Sequence, residues 1–294
     1  MKQYIIEVRE LVYDYPDGTN ALNGLTMQIK EGQKIVVLGA NGAGKSTLFL
    51  HFNGILRPRR GQVLFAGRPV DYKHRSLVEL RKDVGIVFQD PDNQLFSASV
   101  LQDIAFGPLN LGFDKDAALA RAQKVMQETE IDGLKSKPTH FLSYGQKKRV
   151  SIAGVLAMEP RVIIFDEPTA CLDPRMAEKI MEMLHQLNTQ GKTLVMSTHD
   201  VDLAYTWADY VYLINGGKVI GEGNPREIFL DQKLLNSCGL RTPWIVEVYR
   251  ELINSGLIPQ NAPVPDSKEA LLDFIRNASY LQRDHQSADA ASIA

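Results

Sequence analysis

The chain has 294 residues and a formal net charge of −2, and it is 44% hydrophobic and 23% charged. That length holds one large domain with an appendage, or two modest domains, and the composition excludes a disordered or fibrous chain. The near-neutral charge gives no overall footprint for nucleic acid or anionic lipid. Cys171 and Cys238, the two cysteines present, make no disulfide framework and point to a reducing compartment.

The opening MKQYIIEVRE alternates polar and apolar residues without an apolar h-region, so no secretory signal is expected. Tyr4–Tyr15 and Ala21–Lys30 are rich in Ile, Val, Leu and Tyr and flank a Pro16-Asp17-Gly18 turn, which predicts two strands. Lys34–Leu38 predicts a buried strand, and the Gly-rich loop from Gly39 leads into a helix ending near Gly54. Arg59–Val70 predicts a hairpin and Val84–Phe88 a short strand. From about Asp90 to Met158 the signals are helical, with polar faces at Asp114–Ile131 and Gln146–Met158. Strands return at Arg161–Phe165 and Thr193–Ser197 with a helix at Met176–Gln190 between them, an alternation that implies a parallel sheet. Tyr210–Ile214 and Lys218–Gly221 form a last hairpin around Asn215-Gly216-Gly217. No apolar run approaches the roughly 18 residues that cross a bilayer, so any membrane role is expected to run through a partner.

Three segments carry chemistry. Gly39-Ala-Asn-Gly-Ala-Gly-Lys45-Ser46 fits G-x-x-x-x-G-K-[ST] between a predicted strand and a predicted helix, the context that gives the phosphate-binding loop its meaning. There, backbone N–H groups face phosphate oxygens, the helix N-terminus adds its dipole, Lys45 neutralises the β- and γ-phosphates and Ser46 ligates magnesium. Val162–Phe165 is an apolar strand ending in Asp166-Glu167, at the sheet edge where open α/β sheets bind ligands. Asp166 is placed to hold magnesium and Glu167 to take a proton from water; taken alone, the pair also fits a strand-capping acidic pair. Leu142-Ser143-Tyr144-Gly145-Gln146 precedes a basic helix. Ser143 suits an N-cap there and Gly145 a close backbone approach to an anion, although on the residues alone a plain helix start is the favoured account of the segment.

In sequence order, the phosphate loop, Gln89, Leu142–Gln146, the strand with Asp166-Glu167, Cys171-Leu172-Asp173 and His199 resemble the nucleotide-binding subunits of ABC transporters. The resemblance runs from about Tyr4 to Phe229. It implies an α/β fold: a P-loop NTPase sheet with an antiparallel β subdomain, a helical signature subdomain at about 90–158 and a small C-terminal helical appendage. The cassette would occupy 1–235 and the appendage 236–294. The resemblance further implies ATP with Mg2+ and two chains closing face to face around two nucleotides. Gly39, Asn41, Gly42, Gly44, Lys45, Ser46 and Thr47 would then hold the nucleotide, and Tyr15, or its rival Tyr13, would stack on adenine. Ser46, Gln89 and Asp166 would hold magnesium; Glu167, Gln89 and His199 would serve catalysis. Ser143, Gly145 and Gln146 would complete the partner's site, and Asp173 would contact that partner. Tyr144 stands where the usual LSGGQ signature has its first glycine, which leaves the packing near residue 144 open.

A narrower resemblance joins Phe88–Phe96, Asp103–Gly107, Gln146–Ala157 and the short tail Thr242–Val246 to energy-coupling-factor uptake ATPases, most similar to the cobalt-importing type, with nickel the rival cargo. It implies a membrane coupling protein and a membrane substrate-binding protein as partners, with the chain peripheral on the cytoplasmic face, no nucleic acid, and no metal-cargo ligands in this chain. A chromosome-organising ABC ATPase would need a long coiled coil between phosphate loop and signature. A translation factor of this type would carry two cassettes.

Other features read blandly: Lys147-Lys148-Arg149 as a solvated helix face, Arg57–Arg60 as a charged turn, Cys171 as a small packed loop residue. In the tail, Thr242-Pro243 predicts an N-cap and first turn, followed by an apolar stripe at Ile245, Val248, Tyr249, Leu252 and Ile253 and a stop at Gly256. Asp266 with Glu269 predicts a second helix with a stripe at Leu271, Phe274, Ile275, Ala278 and Leu281, then a frayed end after about Gln282. Helices this short must bury their stripes, against the rest of the chain or against a partner's tail.

Overall fold

The structure, a computed structural model, describes residues 4–276. Two sheets organise it. One is antiparallel, in the order β2 (Asn20–Lys30), β1 (Tyr4–Asp14), β4 (Arg60–Phe65), β5 (Arg68–Pro69). The other runs β10 (Lys218–Gly223), β9 (Tyr210–Asn215), β3 (Lys34–Leu38), β8 (Thr193–Ser197), β7 (Val162–Asp166), β6 (Val84–Val87); it is parallel except for the terminal β9–β10 hairpin.

The central strands are apolar along their whole length because both faces are covered. Alternate residues of one strand feed different cores. Val36, Leu38, Ile163, Phe165, Leu194 and Met196 pack towards the helices, while Ile35, Val37, Val162, Ile164 and Val195 pack towards α1 (Lys45–Phe52) and the antiparallel sheet. The helical subdomain between β6 and β7 is built from α3 (Val100–Asn110), α4 (Lys115–Glu128) and α5 (Tyr144–Leu156). Ser99 and Asp114 cap α3 and α4 through their side chains, so each helix starts where a hydrogen-bond acceptor replaces the missing turn. Four short helices, α2 (His74–Asp83), α7 (Val201–Trp207), α8 (Pro225–Ile228) and α9 (Gln232–Ser237), go beyond the elements predicted above; α6 (Pro174–Thr189) fills the predicted slot between β7 and β8.

The tail differs in detail from its sequence reading. After α8 (Pro225–Ile228) and α9 (Gln232–Ser237), helix α10 spans Trp244–Asn254. Pro243, not Thr242, occupies its N-cap, and the Thr242 hydroxyl instead donates to Gln232 Oε1 at 2.9 Å. Residues 268–276 are helical, with Ser267 Oγ accepting from Ala270 N, while Asp266 pairs with Arg226. The expected cap at Asp266 is thus displaced by one residue, because an arginine claims its carboxylate. Ile245, Val246, Tyr249, Leu252 and Leu271 join the same core as Phe165, Tyr205 and Phe229. Ala278, Leu281 and the expected frayed end lie outside the described residues. Among the described residues no helix is long and apolar enough to cross a membrane.

Candidate functional site: a phosphate-binding cavity

The loop after β3 turns sharply and starts α1 at Lys45. Two of its glycines are steric necessities. A Cβ on Gly39 would stand 2.2 Å from the Ile214 carbonyl oxygen, and one on Gly44, at φ 104°, would stand 2.5 Å from that of Ala21. Lys45 is buried, and its Nζ donates to the Gly39 and Ala40 carbonyls at 2.7 and 3.1 Å. Burial lowers its pKa, opposed by the nearby carboxylates of Glu167 and Asp166.

Those carboxylates reach it from the end of β7, two strands away from β3. Asp166 is in register with Ser197 on β8. Ser197 Oγ donates to Asp166 Oδ1 at 2.5 Å and accepts from Glu167 N at 2.9 Å, so one hydroxyl fixes both acidic residues. Glu167 adopts φ 48°, a left-handed conformation that costs a non-glycine residue about 1 kcal/mol and that characteristically survives where function demands it. Its carboxylate accepts a hydrogen bond from His199 Nδ1 at 2.8 Å; the Glu167 side chain is 10% exposed and that of His199 73%.

These groups surround a cavity of about 430 Å³. Of the residues singled out from sequence, Tyr15, Asn41, Gly42, Gly44, Lys45, Ser46, Thr47, Gln89, Asp166, Glu167 and His199 line it. Tyr15, whose hydroxyl is 3.0 Å from Thr47 Oγ1, is preferred to Tyr13, which packs edge-on against His51 and the second core. Gly39 sits behind the loop and does not line the cavity. Ser143, Gly145, Gln146 and Asp173 are absent from its walls. Ser143 and Gln146 instead form a reciprocal capping box at the start of α5, and Asp173 caps α6 through Met176 N. Sequence reasoning missed Ser197, whose position beside Asp166 follows from strand pairing, and Thr19, Asn20 and Ala21, which enter from the β1–β2 turn.

The donor set fits magnesium and a polyphosphate. The Ser46 hydroxyl, the Asp166 carboxylate and the Gln89 amide offer the hard oxygen ligands that Mg2+ takes, beside a buried ammonium and a helix N-terminus suited to phosphate.

The basic run after the signature is not a solvated face. Lys148 is fully buried, and its Nζ donates to the Phe88 and Gln89 carbonyls at 3.0 and 2.8 Å. Burial pushes its pKa down to about 8 against the opposing charges of Asp166, Asp90, Glu167 and Cys171. Tyr144 donates to the same Gln89 carbonyl at 3.1 Å, Lys147 pairs with Asp92, and Arg149 donates to the Glu130 carbonyl. Cys171, expected to be packed, is exposed at φ 61°.

The chain is similar to known proteins over most of its length. Residues 22–170 match the sequence profile of the ABC transporter family. The chain is 50% identical over 256 residues to the energy-coupling factor transporter ATP-binding protein EcfA of Methanocaldococcus jannaschii, covering 87% of this chain and 92% of that protein. Against EcfA of Methanococcus maripaludis it is 52% identical, over 83% of this chain and 88% of the relative. Among solved structures, cbiO1 from Clostridium perfringens, described as part of the ABC transporter complex cbiONQ, superposes with a TM-score of 0.71 at 48% identity, covering 85% of this chain and all of that one. A dimeric post-hydrolysis cassette, MJ0796 bound to ADP and Pi, gives a TM-score of 0.69 at 28% identity, over 75% of this chain and 99% of its own.

Proposed function

Because the chain belongs to the ABC transporter family, as an ATP-hydrolysing subunit of the energy-coupling-factor class, we propose that the cavity binds ATP with Mg2+ and drives import of a transition-metal ion through membrane partners. The observation that carries the catalytic part is the buried Glu167 carboxylate, held by His199 and backed by Ser197, facing Lys45 across the cavity. In this reading the loop N–H groups and Lys45 bind the β- and γ-phosphates, Tyr15 stacks on adenine, and Ser46, Asp166 and Gln89 hold the metal, which supplies charge neutralisation at the phosphates. Glu167 accepts a proton from the attacking water, and His199 holds the γ-phosphate while orienting Glu167.

Ser143, Gly145, Gln146 and Asp173, which do not line the cavity of their own chain, complete the site of a second copy. The chain divides at 235/236, with the later residues steadying that dimer through the exposed Trp244 of α10 and Leu272 of the helical segment 268–276. The membrane coupling protein docks in a groove of about 490 Å³ lined by Val78, Arg81, Phe96, Phe106 and Met158, where the Phe96 and Phe106 rings meet edge-on at 4.7 Å. Gln94 lines that groove and Gln89 the cavity, so one loop touches both. The chain then works on the cytoplasmic face without entering the membrane.

Cobalt is the cargo favoured by the resemblance of 88–96, 103–107, 146–157 and the short tail 242–246 to cobalt-importing ATPases; nickel and a vitamin are the alternatives. Uptake of labelled cobalt or nickel by vesicles holding the assembled complex decides among them.

The enzymatic reading is tested by Glu167→Gln, which keeps the shape and removes the base. ATP binding should persist and turnover fall by about 10²–10⁴-fold. Lys45→Ala should instead weaken nucleotide binding. Hydrolysis near the wild-type rate in Glu167→Gln would overturn the assignment.

A further inference from the structure

Tyr144 and Lys148 lie four residues apart and so share one face of α5. Both donate to the same atom, the Gln89 carbonyl oxygen, and Lys148 also holds the Phe88 carbonyl. A fully buried lysine is costly unless its ammonium is satisfied, and here two backbone carbonyls satisfy it at the point where β6 gives way to the Gln89 loop. The loop is held from its other side too: Gln94 Oε1 accepts from Phe88 N at 3.1 Å, and Gln94 Nε2 donates to the Ser151 carbonyl of α5 at 2.9 Å. The segment 88–94 is therefore tied to the signature helix at both ends.

We infer that Tyr144 and Lys148 act as positioning residues that clamp the Gln89 backbone to the signature helix, so that the loop serving one ATP site moves with the signature serving the other. This rests on the reading above that the signature completes the partner's site. Gln89 lines the cavity of its own chain, whereas Ser143 does not. One carbonyl then links the two composite sites of a dimer. Tyr144, at the position where a glycine would offer no hydroxyl, is the residue through which this chain adds a third hydrogen bond to that link.

The test is hydrogen–deuterium exchange on the full chain, with and without Mg·ATP, comparing wild type with Tyr144→Phe and Lys148→Met. Tyr144 is half-buried, so its hydroxyl can be removed without emptying a core. Without nucleotide, exchange across 88–94 should rise roughly five-fold in Tyr144→Phe, as expected for one lost hydrogen bond, and more in Lys148→Met. On titration with ATP, wild-type segments 88–94 and 142–148 should gain protection at a shared midpoint, and in Tyr144→Phe the two midpoints should separate. Unchanged exchange at 88–94, or midpoints that stay together in Tyr144→Phe, overturns the clamp; this arm stands even if Lys148→Met fails to fold. A wild-type chain that binds no ATP would defeat the ATPase reading instead, and the nucleotide-free exchange would still decide whether the loop is clamped.

Discussion

His51 lies in the last turn of α1 with no exposed surface, its Nδ1 2.7 Å from the Thr47 carbonyl and its ring edge-on to Tyr13 at 4.9 Å between centroids. Its Nε2 is buried with no hydrogen-bond partner. Burial lowers its pKa below the ordinary histidine value. Because the unfolded chain binds this proton more readily than the folded one, stability is fully present above about pH 6.5 and is lost as pH falls from there through the depressed folded value. His51→Phe keeps a ring against Tyr13 and cannot titrate. In denaturation curves, wild type should therefore lose stability relative to the variant as pH falls below about 6.5, by about 1.4 kcal/mol for each unit of depression. A difference that is constant with pH would mean His51 does not titrate on unfolding. Legibility at this scale followed chemistry that is local in sequence. The phosphate loop was readable because its glycines, lysine and serine are contiguous. Lys148 was not, since the carbonyls that bury it belong to residues some sixty positions earlier, and a lysine within a basic helical run gives no hint of them.

At the scale of elements, strands were legible wherever both faces are covered, as in Ile163–Phe165, where an unbroken apolar run has few alternatives. The tail was legible as two amphipathic segments but not in its destination, because a stripe states that it is buried without stating against what. In the structure α10 packs into its own cassette. Ile245 and Val246 are buried, Tyr249 donates to the Ala262 carbonyl at 2.6 Å, and Tyr205 donates to the Pro265 carbonyl at 2.5 Å. Two substitutions separate this structural role from the proposed dimer contact. Ile245→Ala should cost about 2–5 kcal/mol in chemical denaturation of the full chain. Leu272→Asp, on the 36% exposed side of the following helical segment, should leave that curve within about 0.5 kcal/mol and weaken the nucleotide-free dimer in analytical ultracentrifugation. An unchanged dimer constant for Leu272→Asp would assign the appendage wholly to the cassette core.

For the molecule as a whole, the proposed shared site predicts that the catalytic surface of one chain is completed by another. The cavity has the phosphate loop, Asp166, Glu167, Gln89 and His199, but Ser143, Gly145 and Gln146 stand at the start of α5, with Gly145 against Leu172 and Met176 rather than against the cavity. A helix N-terminus of this kind attracts anions, and Ser143 is exposed. If it meets the γ-phosphate held by another chain, lesions in the phosphate loop and in the signature must complement across chains. In a mixed dimer, Lys45→Ala in one chain and Ser143→Arg in the other place both lesions on one composite site and leave the second whole. Equilibrium binding should then find one ATP per dimer at near wild-type affinity. Placing both substitutions in the same chain, opposite an unaltered partner, damages each site once, and tight binding should disappear from both. Were each chain to use its own signature, the outcomes would exchange: the distributed lesions would abolish both sites, and the doubly substituted chain would leave its unaltered partner fully competent. The two stoichiometries therefore discriminate between a site shared across the dimer and a site complete within one chain.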